Sequence, residues 1–258
     1  MINLSQNVCY DKNLNFSLDY NSYGMHSKCL EILKNHYDCE DIDIGYGISE
    51  LTSRIMFFIK QQGLSLTICN NAWSGFQEIK EAMEIPTGED IFYLVNPNGI
   101  DGTQLLKEEV IELSKKYRYL IVDEAYGDFF DNSIIECRTD NMIVLKTMSK
   151  SIASPGARFG WCFAPKEVIK ITSRIRPRSS VVGGMELQLK LMLDEIPNHV
   201  TRMLETRNFL EKNYNCTKSY GNYVLFNEPN KYTDKFICKK IDNCYRMALV
   251  DMETLNEF

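Results

Sequence analysis

Four short apolar runs constrain the fold more than any other feature of the chain. Leu64 to Cys69, Ile91 to Val95, Tyr119 to Val122 and Met142 to Leu145 are each of strand length and nearly continuous in apolar character. A strand with one wet face alternates polar and apolar residues, whereas a strand buried on both faces need not. Between the second and third runs, Leu105 to Lys116 carries its acids early and its lysines late, which suits a helix dipole. Strands alternating with helices predict parallel βαβ units from about residue 41 to 164. Further on, Pro197 to Lys212 reads as a helix and Asn222 to Phe226 as a strand, which predicts a smaller α+β part. In open α/β sheets, ligands sit at the carboxyl ends of the strands, so polar residues there are the first candidates for a site.

Composition excludes several classes. The chain has 258 residues, 44% hydrophobic and 25% charged, enough for a core without staples and unlike a disordered or low-complexity chain. A net charge of −6 argues against a phosphate-backbone binder, so no nucleic-acid partner is expected. No run of eighteen apolar residues occurs, and Met1 to Asn13 is polar without the apolar centre of a signal peptide. The expectation is a cytoplasmic protein with no membrane partner. The nine cysteines form no C-x-x-C pair and read as reduced thiols, and His26, His36 and His199 share no metal-ligand spacing, so no metal is expected.

Four polar places lie at strand ends. Ile44 to Thr52 places two glycines before a helix, which can bring backbone N–H groups close to a phosphate. A dinucleotide fingerprint needs a third glycine where Glu50 stands. Asn96-Pro-Asn-Gly-Ile-Asp-Gly102 reads on its own as a turn-rich loop. Asp123-Glu124 ends an apolar strand, and with no G-x-x-x-x-G-K-[ST] in the chain it is no ATPase magnesium site; alone it reads as a solvated acid pair. The fourth place combines Thr147, Ser149, Lys150 and Arg158. Two hydroxyls and a guanidinium suit a phosphate, and a lysine beside them can form a Schiff base. Pyridoxal phosphate uses such features together: an amine for its aldehyde, an anion site for its phosphate, and a carboxylate for its pyridinium nitrogen.

In order and spacing, these segments resemble the fold-type I pyridoxal-phosphate enzymes of aminotransferase class I/II. Within that class the likeness is to histidinol-phosphate aminotransferases and threonine-phosphate decarboxylases. It runs from Asn15-Phe-Ser17 and Asn21 to Asn256. Thr147-Met-Ser-Lys150 with Arg158 and Gly160 is its most specific part. The resemblance implies a large domain over 40–182 with a mostly parallel sheet between helices. It implies a small α+β domain built from 1–39 and 183–258, and a homodimer with the site at the interface. It makes Lys150 the Schiff-base lysine, Asp123 the pyridinium partner and Tyr126 a donor to the cofactor's phenolic oxygen. Thr147, Ser149 and Arg158 take the phosphate positions, with Gly47, Ile48 and Ser49 at a helix N-terminus. Trp73 takes the place of the aromatic that stacks on the ring. Arg246 takes that of the arginine for a substrate α-carboxylate, and Asn222 lies near the substrate end.

Three departures from the family pattern stand out. The family loop reads N-P-N-N-P-T-G, and Gly99 replaces the asparagine that hydrogen-bonds the phenolic oxygen. Either Asn98 takes over that bond or Tyr126 acts alone. The Y-P-D stretch is missing, with Tyr37 as a candidate remnant of a tyrosine that reaches the neighbouring subunit's phosphate. No second arginine for a distal phosphate occurs between Lys231 and Tyr245; Arg174, Arg176 and Arg178 offer anion contacts or a solvated basic face. The leading function is an aminotransferase that moves an amino group between an amino acid and a 2-oxo acid. A decarboxylase or other lyase on the same scaffold and a catalytically impaired scaffold dimer are the alternatives.

Overall fold

A computed structural model describes residues 25–177, 181, 185–236 and 238–257. Asn15 to Ser17, Asn21 and Arg178 lie outside the described residues. The first helix among the described residues, α1 (Met25–Tyr37), leads into β1 (Ile42–Gly45) and α2 (Gly47–Gln61). Then follow β2 (Leu66–Ile68), α3 (Ser74–Ala82), β3 (Ile91–Val95), α4 (Lys107–Ser114) and β4 (Tyr119–Asp123). Next come β5 (Met142–Thr147), the short α5 (Met148–Ser151), β6 (Gly160–Phe163) and α6 (Lys166–Thr172). These strands form one sheet in the order β1-β6-β5-β4-β3-β2. The pairs from β2 through β5 are parallel, and β6 runs antiparallel to both β5 and β1. The mostly parallel α/β sheet expected from the apolar runs is what forms.

Alternation along each buried strand divides the core into two layers. Leu120 and Val122 of β4 and Met142 and Val144 of β5 pack with Trp161, Phe163, Leu189 and Leu193. Tyr119, Ile121, Ile143 and Leu145 face the other way, onto Ile55, Ile59 and Phe76 of α2 and α3. Helix α1 belongs to the first layer through Cys29 and Leu33. That corrects the assignment of this stretch to the small domain: its apolar stripe is covered by the large sheet.

The long helix α7 (Met185–Asn213) begins well before the expected start at Pro197. Proline suits the first turn of a helix, which is why it reads as a start signal. Here burial of Met185, Leu189 and Leu193 against the large sheet extends the helix across the proline. Beyond it lie β7 (Cys216–Thr217), β8 (Tyr223–Phe226), α8 (Lys231–Lys235), β9 (Lys239–Ile241), β10 (Cys244–Ala248) and α9 (Met252–Asn256). Their antiparallel sheet, in the order β7-β8-β10-β9, has its own apolar cluster of Leu210, Val224, Phe226, Tyr232, Met247 and Leu255. Among the described residues, no helix is long and apolar enough to cross a membrane.

Candidate active site

The carboxyl ends of β3, β4 and β5 open into a cavity of about 410 Å³. Its wall includes Ile48, Ser49, Trp73, Asp123, Tyr126, Thr147, Ser149, Lys150, Arg158 and Arg246, all named from the sequence. Asn71, Phe76, Gly99, Ile100, Pro155, Lys239 and Ile241 complete much of the rest. Four of these lining residues are cationic (Lys150, Arg158, Lys239, Arg246) and one is a carboxylate (Asp123), so an acidic chain has built a cationic pocket. Such a field draws in anions.

Asp123 and Glu124 are not a solvated pair, because strand geometry sends successive side chains to opposite faces. Asp123, 3% exposed, faces the cavity. Its carboxylate accepts from the Ala125 N–H at 2.9 Å and the Tyr93 hydroxyl at 3.1 Å. Burial outweighs these bonds and pushes its pKa up to about 6. A carboxylate held this way, with a lysine near it, is poised for a cationic partner. Glu124 turns to the opposite face, where it lies 3.9 Å from the buried Lys146 ammonium. It accepts from Ser133 Oγ at 2.6 Å and the Ile134 N–H at 2.7 Å. Lys146 Nζ also donates to Asp128 at 2.5 Å. This buried cluster, which the sequence reading missed, ties the segment after Asp123, which carries Tyr126, to β5, the strand that leads into α5 and Lys150.

Thr147 caps α5: its Oγ1 accepts from the Ser149 N–H at 3.2 Å, and Ser149 Oγ lies 3.0 Å away. Both hydroxyls thus stand on one side of the cavity with Arg158. The Arg158 backbone is left-handed, at φ 45°, and its Nη1 donates to the Pro155 carbonyl at 3.1 Å. Its guanidinium passes over Gly47, where an added Cβ would lie 2.7 Å from Nη2. Gly47 itself has φ +77°, a left-handed conformation that strains any side chain, and a Cβ there would push the end of the Arg158 side chain aside. It supports the cavity without lining it, just before Ile48 and Ser49 in the first turn of α2. Lys150 Nζ lies 5.6 Å from the centroid of the Tyr126 ring. Trp73, 55% exposed, stands at the mouth with its ring edge-on to Phe76 at 5.2 Å. Arg246 arrives from β10, its guanidinium carbon 3.9 Å from the centroid of Tyr223.

Several expectations are corrected. Asn98 does not line the cavity: its Oδ1 accepts from the N–H groups of Ile100 and Asp101, and its Nδ2 donates to the Asn70 carbonyl at 3.3 Å. The side chain is consumed in shaping the loop, so it is no substitute for the missing asparagine. Asn222 is half-buried and also absent from the wall; its carbonyl accepts from Leu249 N–H in the small sheet. Tyr37 packs edge-on against Phe163 at 5.0 Å within its own chain, away from the anion-binding side. Arg176 is neither an anion contact nor a solvated face, because it pairs with buried Asp43 at 2.7 Å, beside the Arg54–Asp43 pair. Arg174 is exposed.

The set fits a flat, phosphorylated aromatic aldehyde. A lysine could take the aldehyde, two hydroxyls, a guanidinium and the start of α2 could hold the phosphate, and a buried carboxylate without a direct cationic bond could pair with a ring N–H⁺. The chain is 28% identical over 203 residues to the histidinol-phosphate aminotransferase of Flavobacterium johnsoniae, covering 67% of this chain and 57% of that one. It spans about half the length of the curated relatives it matches. In fold it is similar to the histidinol-phosphate aminotransferase of Clostridium acetobutylicum, with a TM-score of 0.76 at 17% identity, covering 90% of this chain and 86% of that one. It is also similar to that of Sinorhizobium meliloti in complex with pyridoxal-5'-phosphate, with a TM-score of 0.74 at 16% identity, covering 90% and 78%. The family model for aminotransferase class I and II matches residues 64–255, and the chain belongs to that family.

Proposed function

We propose that this chain is a pyridoxal-phosphate-dependent aminotransferase that moves an amino group from an amino acid to a 2-oxo acid. The observation that carries the reading is convergence: Lys150, Asp123 and the Thr147, Ser149 and Arg158 anion side meet in one cavity at the carboxyl ends of three adjacent strands. When bound, pyridoxal phosphate supplies an electron sink that lets an α-proton leave the amino acid.

The chain's own residues do the rest. The Lys150 amine would hold the cofactor's aldehyde and, when free, is the base placed to accept and give back a substrate α-proton. Asp123 keeps the ring nitrogen protonated; its own burial makes that pairing favourable. Thr147, Ser149 and Arg158 anchor the phosphate, and Tyr126 donates to the ring oxygen. Arg246 grips the substrate carboxylate through its fork of donors. Lys239, directly opposite Arg246 across β9 and β10, adds a second cation at the substrate end.

The same reading divides the labour between the large sheet unit, over about 40–182 with α1 added, and the part after 183 that brings Arg246 and Lys239. A homodimer closing the cavity is supported by the exposure of Trp73 at its mouth, and sedimentation velocity tests it. A cytoplasmic setting is supported by the free cysteines, Cys29 and Cys162 among the buried ones.

A borohydride trap tests the function. Protein incubated with pyridoxal phosphate, reduced and digested should carry one pyridoxyl group per chain, at Lys150. Label spread over exposed lysines, or none, overturns the reading and leaves the impaired scaffold. Amino-acid screening then requires a 2-oxo acid in equal amount for each turnover; carbon dioxide release without one identifies a decarboxylase.

A further inference from the structure

Tyr126 sits in a slot between two glycines. A Cβ built on Gly99 would lie 2.4 Å from Tyr126 Cε2, 3.1 Å from Cζ and 3.2 Å from the hydroxyl. On the other flank, a Cβ on Gly221 would lie 3.2 Å from Tyr126 Cδ1 and 2.5 Å from Tyr223 Cε1. Neither glycine has a left-handed backbone, since the positive-φ glycines among the described residues are Gly47, Gly63 and Gly102. What opposes a side chain at 99 is therefore the Tyr126 ring, and at 221 chiefly the Tyr223 ring, rather than the chain's conformation. On the side away from Gly99, Tyr223 stands edge-on to the ring, with centroids 6.0 Å apart. Tyr223 is itself pinned: its hydroxyl donates to the Asn98 carbonyl at 2.7 Å, which fixes the loop that carries Gly99.

We infer that Gly99 is a positioning residue that sets the pose of the Tyr126 phenol, and that Tyr126 alone of this pair of segments serves the ring-oxygen side of the cavity. Asn98, the other candidate, is spent on its own loop. The glycine at 99 is thus no simple loss of a ligand. It opens the space the phenol occupies, so an asparagine installed there would displace the donor it was meant to assist. The part that concerns the cofactor rests on the proposed function; the slot itself does not.

Two experiments separate these parts. In the first, the visible band of bound pyridoxal phosphate is titrated with pH. Tyr126→Phe should shift its midpoint by about one pH unit, the equivalent of one hydrogen bond. Gly99→Ala and Gly99→Asn should reproduce that shift, and adding Tyr126→Phe to Gly99→Ala should move it no further. A wild-type midpoint in Gly99→Ala, or an undiminished Tyr126→Phe shift in that background, overturns the inference. The second uses protein without added cofactor and holds even if the wild type binds none. Gly99→Ala should lower the Tm by about 2–4 °C with Tyr126 present, the loss expected for about 1 kcal/mol in a chain of this size. In a Tyr126→Ala background the loss should vanish. Equal effects with and without the ring, including no effect in either, overturn the slot.

Discussion

The hydroxyl of Tyr93, fully buried on β3, donates to Asp123 Oδ2 on the neighbouring strand at 3.1 Å. That bond and the Ala125 N–H are too few to offset burial, and Asp123 is pushed up to about 6 from 3.8. The folded chain therefore holds a proton on Asp123 between about pH 4 and 6 that the unfolded chain has released. Stability from this group falls as pH rises through that window, by on the order of 3 kcal/mol. Urea unfolding of the cofactor-free protein should show this slope, and Asp123→Asn should flatten it. Saturating pyridoxal phosphate should flatten it too, because a protonated ring nitrogen stabilises the carboxylate. An identical slope in the variant would remove Asp123 as its source.

Lys146 is the second buried charge, on the opposite face of the sheet. Its ammonium is 3% exposed and pairs with Asp128 at 2.5 Å and Glu124 at 3.9 Å. Those two carboxylates hold its pKa above the usual lysine range despite burial. Lys146→Met leaves them inside without a cation, a change that costs about 3–5 kcal/mol. The loss should be smaller at pH 4 than at pH 7, since Glu124, whose pKa burial already raises, then takes a proton. Chemical denaturation at the two pH values checks both the size and the sign.

Much of this architecture was legible in the sequence because its signals are local. Continuous apolar runs gave the parallel strands, and residue types at strand ends named ten of the side chains that line the cavity. The misses have a common cause in tertiary contacts. Pro197 looks like a helix start until Leu189 and Leu193 find a sheet to cover them. Asp123 and Glu124 look like neighbours in solvent until alternation sends them to different faces of a buried strand. Lys239 gave no signal at all: only its place opposite Arg246 in a short antiparallel pair turns it toward the cavity.

Gly47 offers a test of the anion side with its own control. Gly47→Ala imposes a side chain at φ +77° and 2.7 Å from Arg158 Nη2. Gly63→Ala imposes one at φ +65° with nothing within 4 Å. Both lose the backbone term, about 1 kcal/mol or more. Only Gly47→Ala should weaken pyridoxal-phosphate binding, by about tenfold or more, because a displaced guanidinium forfeits a charge-assisted bond of about 1.5–3 kcal/mol. Titrations of the cofactor's absorbance on the two variants separate the effects. Equal affinities would show that Arg158 does not hold the phosphate.

Arg246 and Lys239 should separate by substrate charge. Arg246 is half-buried over the Tyr223 ring, whereas Lys239 is exposed at the rim. A desolvated guanidinium binds a carboxylate with a fixed fork, while a rim ammonium acts as a screened point charge. Arg246→Ala should therefore cut kcat/KM by about a hundredfold or more for every amino acid. Lys239→Ala should raise KM severalfold for an oxo acid with a second anionic group and leave a singly charged one unchanged, with kcat intact for both. Raising salt from 0.05 to about 0.5 M should erase the Lys239 effect, since the Debye length then falls to a few ångströms. The Arg246 effect should persist. A Lys239→Ala variant that treats both substrates alike would mean that the rim lysine reads no second charge.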